Sequence, residues 1–249
     1  MLIEACIDDP TSARNAIAGG AGRLELCDNL ADGGTTPSHG MLEYLLETVS
    51  VPVFPIIRPR GGGFVYDAAE RDVMFRNLAH VRALGAPGAV IGALTPGARI
   101  DHELVARLRD AAGDLSLTFH RAFDRCRDPF EALEQLITIG IDRILTSGQR
   151  ARAIEGRDLI GELVQRADGR IGIMAGGGVS EADVGELVRA TGVREVHVRA
   201  SMIVRDDPGW ESWAIVPFRK ALPGDEAARL VTDPQRIAAI REAAEGSES

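Results

Sequence analysis

LIEACIDDPT, residues 2–11, carries the first predicted strand into the turn that decides the fold. Its turn, Asp8-Asp9-Pro10-Thr11, contains no glycine. An open, dinucleotide-binding sheet would need a Gly-x-Gly-x-x-Gly turn at this point. Eight predicted strand–helix units run along the chain, and such a series fits either a closed barrel or an open doubly wound sheet. Because the glycine turn is missing, we predict a single (β/α)₈ barrel of the TIM type.

Strand-like runs and helical patterns alternate along most of the chain. The predicted strands begin about 20 to 36 residues apart, the length of one strand–helix unit, near Leu2, Arg23, Pro52, Gly88, Asp114, Asp142, Arg170 and Glu195. Helix N-caps are predicted at Ser38, Asp101, Asp128 and Ser180, and closing glycines at Gly85, Gly140 and Gly192. We therefore predict a barrel over residues 1–203, followed by a C-terminal extension over residues 204–249.

The extension departs from the strand–helix pattern. It begins with a predicted loop that contains Trp210 and Trp213, a last helix starts near Pro234, and the final residues, GSES, are expected to be disordered. The extension also holds the single lysine of the chain, Lys220, in a polar stretch. A Schiff-base aldolase needs a lysine inside its pocket, so this position argues against that mechanism.

Composition excludes several classes of protein. The chain has 28 basic and 37 acidic residues and a net charge of −9, which argues against a general nucleic-acid binder or a membrane-surface protein. We find neither an apolar run long enough to span a membrane nor a signal peptide. The three cysteines lack C-x-x-C spacing, which favours reduced thiols over disulfides. We expect a cytoplasmic protein.

Alternation along the predicted strands directs polar side chains toward the barrel interior. Glu4, Glu25 and His197 alternate with apolar positions that should pack against the helices, so we expect these three side chains to point inward. Arg58 ends the third predicted strand, and His120 lies on the fifth. Because burying an unpaired ion is costly, this interior is either a mutually paired polar plug or a functional site at the C-terminal mouth of the barrel.

Two segments add donor groups at the same mouth. Gly176, Gly177 and Gly178 follow the seventh predicted strand and precede a helix, an arrangement that lets backbone N–H groups bind a phosphate. The alternative is that these glycines only make a tight turn. Ser147, after the sixth strand, offers a hydroxyl group. A long polar loop over residues 29–38 is expected to line or cover the site.

Several motifs, in order, resemble the CutC family, which is named for copper homeostasis. They are RLELCDNLADGGTTPSHG, IIRPRGG, LTFHRAFDRCRDP, ILTSGQ and IMAGGGV, and the similarity runs from residue 1 to about residue 201. The resemblance implies a TIM-type barrel, a cytoplasmic location, a homodimer or higher homo-oligomer, and copper as the bound metal. It also implies that Cys6 and Cys27 are the copper ligands.

Other observations bear on the copper hypothesis in both directions. Cu(I) prefers thiolate ligands, and neighbouring strands are close enough for Cys6 and Cys27 to face one ion if their registers match. The alternative is that both are small apolar core residues. The chain departs from the family pattern at Gly63 and Val65, where an acid and a cysteine are common, and at Arg199, where a small hydroxyl residue is usual.

A second hypothesis is an enzyme that acts on a small anionic or phosphorylated substrate. Glu25 would then act as general base, His120 as acid or electrophile, Arg58 and Arg60 as anion clamps, and Gly176–Gly178 as the phosphate-binding loop. A binding or scaffolding oligomer without turnover is a third possibility. The sequence names neither a substrate nor the choice between dimer and tetramer.

Independently of any metal, we predict that the mouth binds an oxyanion. Cationic or titratable groups gather there in a protein of net negative charge, namely Arg58, Arg60, His120 and Arg199, with His197 beside them and Ser147 as a further donor. The competing account is that Glu4 and Glu25 neutralise these arginines internally.

Overall fold

The turn singled out in the sequence connects strand β1 (Leu2–Ile7) to helix α1 (Pro10–Ala18). The Asp9 carboxylate accepts hydrogen bonds from the N–H groups of Thr11, at 2.7 Å, and Ser12, at 3.0 Å. It thus satisfies two of the donors that a helix start leaves unpaired. Pro10 occupies the first helical position, where a missing N–H costs no hydrogen bond. The strand therefore passes into the helix without a glycine loop.

The computed structural model describes residues 1–205 and 228–246. After α1, strands and helices alternate along the chain as β2 (Arg23–Leu26), α2 (His39–Thr48), β3 (Val53–Pro55), α3 (Ala68–Ala83), β4 (Gly88–Ile91), α4 (His102–Ala112), β5 (Ser116–Phe119), α5 (Pro129–Ile139), β6 (Arg143–Thr146), α6 (Arg157–Ala167), β7 (Gly172–Gly176), α7 (Val184–Thr191) and β8 (Glu195–Val198). Short 3₁₀ turns cover Leu30–Asp32, Arg121–Arg125 and Ala153–Gly156.

These eight strands form one parallel sheet that closes on itself. Their order is β3-β2-β1-β8-β7-β6-β5-β4, so β3 and β4 are the two ends of the sheet. Ile56 and Val90 bridge these ends in parallel, and the N–H of Ile57 donates to the carbonyl of Val90 at 2.7 Å. The predicted TIM-type (β/α)₈ barrel is confirmed.

Apolar and polar side chains separate across the barrel wall as the alternation predicts. Ile3, Ala5 and Ile7 belong to the main apolar core. Glu4, between them, is also fully buried, but its partners lie on the neighbouring strands β2 and β8. A second, smaller apolar cluster contains Cys6, Cys27, Phe54, Ile56 and Val90. The barrel interior therefore holds a charged layer beside a small patch of sulfur and hydrocarbon.

Most of the predicted helix boundaries agree with the structure. The side chains of Ser38, Asp101 and Asp128 cap α2, α4 and α5. The exception is the segment after β7, where the helix begins only at Val184 rather than next to Ser180. Here the Asp183 carboxylate accepts from the N–H of Ser180 at 2.8 Å, so these two residues brace a turn ahead of the helix.

The chain continues beyond β8 as a hairpin and a helix on the outside of the barrel. Strands β9 (Ser201–Arg205) and β10 (Ala228–Thr232) pair antiparallel, and α8 (Pro234–Glu245) begins at the predicted proline. The N–H of Thr232 donates to Ser12 Oγ at 3.1 Å, which ties β10 to α1.

Part of the predicted extension lies outside the described residues, namely Trp210, Trp213, Lys220 and residues 247–249. The division between barrel and extension at residue 203 stays a prediction. Across the described ranges, every helix is too short or too polar to cross a membrane.

Candidate functional site

A layer of charged side chains crosses the barrel interior on the side away from the C-terminal mouth. Arg23 on β2 forms ion pairs with Glu4 on β1 and, at 2.6 Å, with Glu195 on β8. Arg143 on β6 reaches the same Glu195 carboxylate at 2.5 Å. The layer is mutually paired, as the polar-plug interpretation requires. Sequence reasoning did not single out Arg23, although it lies two residues before Glu25 and so shares its face of the strand.

Glu4 also orients His197, which lies one layer closer to the mouth. His197 Nδ1 is 2.8 Å from Glu4 Oε1, and His197 Nε2 is 3.6 Å from Glu25 Oε2. Burial alone would raise the pKa of Glu4, but the hydrogen bond from His197 and the charge of Arg23 lower it to about 2. Burial disfavours a charged His197, yet Glu25, Cys6 and Glu4 together raise the pKa of His197 well above its ordinary value.

The sulfur atoms of Cys6 and Cys27 lie 3.8 Å apart next to this histidine. Both cysteines are buried and unbridged. In the parallel register Cys6 faces Glu25, and Cys27 comes two residues later. The two sulfurs and a carboxylate oxygen of Glu25 all lie within 4.8 Å of one another. Two metal–sulfur bonds of about 2.3 Å to sulfurs at this distance would meet at an angle of roughly 110°, so one ion fits between them.

The two thiols differ in how readily they ionise. The hydrogen bond from the Cys27 thiol lowers the pKa of Cys6 well below its usual value, against the effect of burial and with further help from His197. The hydrogen bond with Cys6 raises the pKa of Cys27, and burial raises it further. Burial, together with the charge of Cys6, raises the pKa of Glu25 well above its ordinary value. Of the two thiols, Cys6 is therefore the more acidic.

His120 stands at the end of β5 as a buried, neutral imidazole. Its Nδ1 accepts a hydrogen bond from the N–H of Ala122 at 3.1 Å, so its proton lies on Nε2. Burial, reinforced by the charge of Arg58, lowers the pKa of His120 to about 3. Its Nε2 has no hydrogen-bond partner within the described part of the chain. The ring is therefore a neutral N–H donor, and its donor atom stays unpaired among the described residues.

Arg58 holds two loops at the mouth. Its guanidinium donates to the carbonyls of Asp32, at 2.9 Å, Gly34, at 2.6 Å, and Gly62, at 2.9 Å. These bonds use NH1 and one N–H of NH2, and Arg58 Nε is buried without a partner among the residues described. Among the described residues, the Arg58 guanidinium is therefore hydrogen-bonded to carbonyl oxygens rather than to a carboxylate.

A cavity of about 390 Å³ opens at the C-terminal mouth of the barrel. Its polar lining includes Cys6, Glu25, Arg58, His120, Arg121, His197 and Arg199, together with the backbone of Gly177 and Gly178. The structure therefore brings together most of the predicted site residues, from six different strands or the loops that follow them. Sequence reasoning missed Arg121, for which the only signal is its position next to His120 in the chain.

Three predicted site residues have other surroundings. Arg60 lies outside the cavity, because its guanidinium is paired with Glu70 and donates to the carbonyls of residues 61, 63 and 65. Ser147 is fully buried and bonded to Asp124, Arg150 and Arg121 rather than facing the cavity. Gly176 ends β7 inside the wall, where an added Cβ would come within 2.9 Å of His197 Cβ.

Comparisons with known proteins agree on one family. The model of the CutC family matches residues 1–202. The CutC family protein of Histophilus somni is 48% identical over 241 residues, which cover 97% of this chain and 98% of that protein. A human protein named copper homeostasis protein cutC homolog is 42% identical over 236 residues, covering 95% and 86%. The crystal structure of CutC from Streptococcus agalactiae superposes with a TM-score of 0.75 at 38% identity, covering 79% of this chain and 97% of that one.

Proposed function

This chain belongs to the CutC family, and we propose that it binds copper as Cu(I) between the sulfurs of Cys6 and Cys27. The observation that carries the proposal is the 3.8 Å distance between these two sulfur atoms at the barrel mouth. The name of the human relative, copper homeostasis protein, supports the choice of metal.

The donor set favours Cu(I) over other metals. Cu(I) is soft and accepts two or three ligands, of which thiolates are the best. A structural zinc site needs four ligands, usually cysteine and histidine. Within the described ranges, the metal-ligating group consists of Cys6, Cys27 and the harder Glu25. Two sulfurs with one weak oxygen suit a low-coordinate Cu(I) ion and leave zinc short of ligands.

Binding requires both thiols to give up their protons. Cys6, the more acidic of the two, supplies a thiolate, and the proton of Cys27 must leave as its sulfur bonds to the metal. The raised pKa values of Glu25 and His197 favour their protonated forms, so we propose that this proton leaves to solvent through the open mouth. Cys6 and Glu25 line the open cavity, so we propose that copper enters and leaves by the mouth. We also propose a cytoplasmic location, because thiols remain reduced there.

The test is a competition titration of Cu(I) against a chromophoric chelator under anaerobic conditions. We expect one Cu(I) per chain, and Cys6→Ser or Cys27→Ser should weaken binding by at least about tenfold because one of two sulfur bonds is lost. Cys126→Ser is the matched control. Cys126 is also a buried free thiol, but its sulfur contacts the carbonyl of Ala122, so this substitution should leave the affinity unchanged.

The double variant Cys6→Ser/Cys27→Ser decides the matter. If it binds Cu(I) as tightly as the wild type, the proposed site is wrong. X-ray absorption on the loaded protein adds a direct measurement, because the proposal requires sulfur neighbours at about 2.2–2.3 Å from copper. A first shell of nitrogen or oxygen alone would contradict it.

A further inference from the structure

Two buried side chains at the mouth of the barrel carry N–H groups that have no acceptor in the part of the chain that the structure describes. Both His120 Nε2 and Arg58 Nε are buried, and neither finds a hydrogen-bond partner within residues 1–205 and 228–246. The two side chains are each about 4% exposed and line the same cavity. A buried donor without an acceptor destabilises the folded chain. Two such donors at one cavity indicate a ligand that accepts hydrogen bonds.

The charges around these donors favour an anion over a neutral acceptor. Arg58 is bonded to three carbonyl oxygens, so its positive charge is not neutralised by a carboxylate. Glu4 is already paired with Arg23 and His197. The part of the competing account in which Glu4 neutralises Arg58 therefore does not describe the contacts. Arg199, at the rim of the same cavity, adds a second positive charge.

Two glycines form part of the cavity wall. Gly177 and Gly178 line it and have positive φ angles of 109° and 66°, in the range that glycine adopts without strain. Added Cβ atoms would lie 3.0 Å from Ser147 Cβ at Gly177 and 3.2 Å from Arg152 Cγ at Gly178. The absence of side chains therefore lets the loop pass close to these neighbours while its backbone lines the cavity.

We propose that this cavity binds the oxyanion group of a small organic molecule, a phosphate or a carboxylate, through His120 and Arg58. The volume of about 390 Å³ is that of a small-molecule site. Phe64, Ile56 and Leu145 form apolar walls beside the donors, so the ligand carries a carbon skeleton as well as the anionic group. This site goes beyond copper binding and uses neither Cys6 nor Cys27.

The experiment follows the proton on His120 Nε2 by one-bond ¹H–¹⁵N NMR while an anion is titrated. Inorganic phosphate and acetate are the two probes, and chloride at the same ionic strength is the control. The measurements are repeated on Cys6→Ser/Cys27→Ser, which separates the anion site from the copper site. We expect a saturable shift with phosphate or acetate at millimolar concentration and none with chloride. Phosphate alone identifies a phosphate-bearing ligand, and acetate alone a carboxylate.

Two substitutions at one position supply the matched variants. His120→Leu removes the donor and should weaken binding by at least about tenfold, the effect of losing one hydrogen bond to a charged group. His120→Gln restores an N–H donor and should stay within about threefold of the wild type. The proposal is overturned if neither anion moves the Nε2–H resonance of the wild type saturably, or if folded His120→Leu binds as tightly as the wild type.

Discussion

His197 Nδ1 lies 2.8 Å from Glu4 Oε1, and these two residues are direct partners in the parallel ladder between β8 and β1. The contact fixes the plane of the imidazole ring and directs its other nitrogen toward Glu25 and the sulfur pair. Carboxylate–histidine pairs of this kind commonly orient groups beside metal sites. The ion-paired layer under the mouth therefore supports the site above it.

The first prediction concerns the stability that this layer provides. Glu4→Gln removes a fully buried carboxylate and leaves Arg23 and His197 without their shared partner. We expect a loss of about 3 kcal/mol in the free energy of unfolding, because breaking a buried ion pair leaves charge uncompensated. Urea denaturation measures it. Glu43→Gln, which removes an exposed carboxylate, should change little, and an equal midpoint for both variants would contradict the prediction.

The second prediction concerns the charge of His120 as a function of pH. The pKa of this imidazole is about 3 in the folded protein and 6.5 in a free side chain. The unfolded chain therefore takes up a proton first as the pH falls, so the stability from His120 is complete above about pH 6.5 and is lost between there and about pH 3. The Cε1–H resonance of His120 should stay constant from about pH 8 to pH 5. A titration like that of a histidine peptide measured alongside would show the ring to be solvated.

The third prediction concerns the glycine against which His120 packs. A Cβ on Gly92 would overlap the His120 ring, so Gly92→Ala should displace the imidazole, cost about 1–3 kcal/mol of stability and weaken phosphate binding. Gly97→Ala is the matched control, because its nearest neighbour, Thr95 Oγ1, is 3.8 Å from the added Cβ. Thermal unfolding and phosphate titration measure both effects. Equal behaviour of the two variants would mean that the ring has room to move.

The fourth prediction separates two arginines that the sequence treats alike. Arg199 lines the cavity, whereas Arg60 lies outside it and is paired with Glu70. Arg199→Ala should weaken phosphate binding by about tenfold, and raised salt should reduce that difference. Arg60→Ala should leave the phosphate affinity unchanged. Calorimetric titration of both variants is the check, and a larger effect from Arg60→Ala would exclude the proposed cavity as the anion site.

The barrel and its inward-facing residues could be predicted because they follow from local periodicity. Residues on one strand alternate between two faces whatever the rest of the chain does. Glu4, Glu25 and His197 therefore had to share the interior once their strands were parallel neighbours. The glycine-free turn after β1 has an equally local cause, since Asp9 and Pro10 start a helix by themselves.

The roles of the loop side chains could not be predicted in the same way. Arg58 and Arg60 are two residues apart, yet one donates to loop carbonyls around the cavity and the other pairs with Glu70 ten residues away. The Ser147 hydroxyl donates a hydrogen bond to the Asp124 carboxylate, which belongs to a different strand–helix unit. A long polar side chain can reach several hydrogen-bond or ion-pair partners. The conformation of the folded loops determines which of those partners lie within reach.

By itself, then, the sequence determined the closed barrel, the polar interior and the strand that carries each cysteine, because strand period and helix caps act within a few residues. The tertiary structure alone decided that Cys6 and Cys27 place their sulfurs 3.8 Å apart. It also decided that His120 and Arg58 keep N–H donors without acceptors within residues 1–205 and 228–246. Those relationships depend on the register between β1 and β2 and on burial under distant loops. Both arise only when segments far apart in the chain pack together.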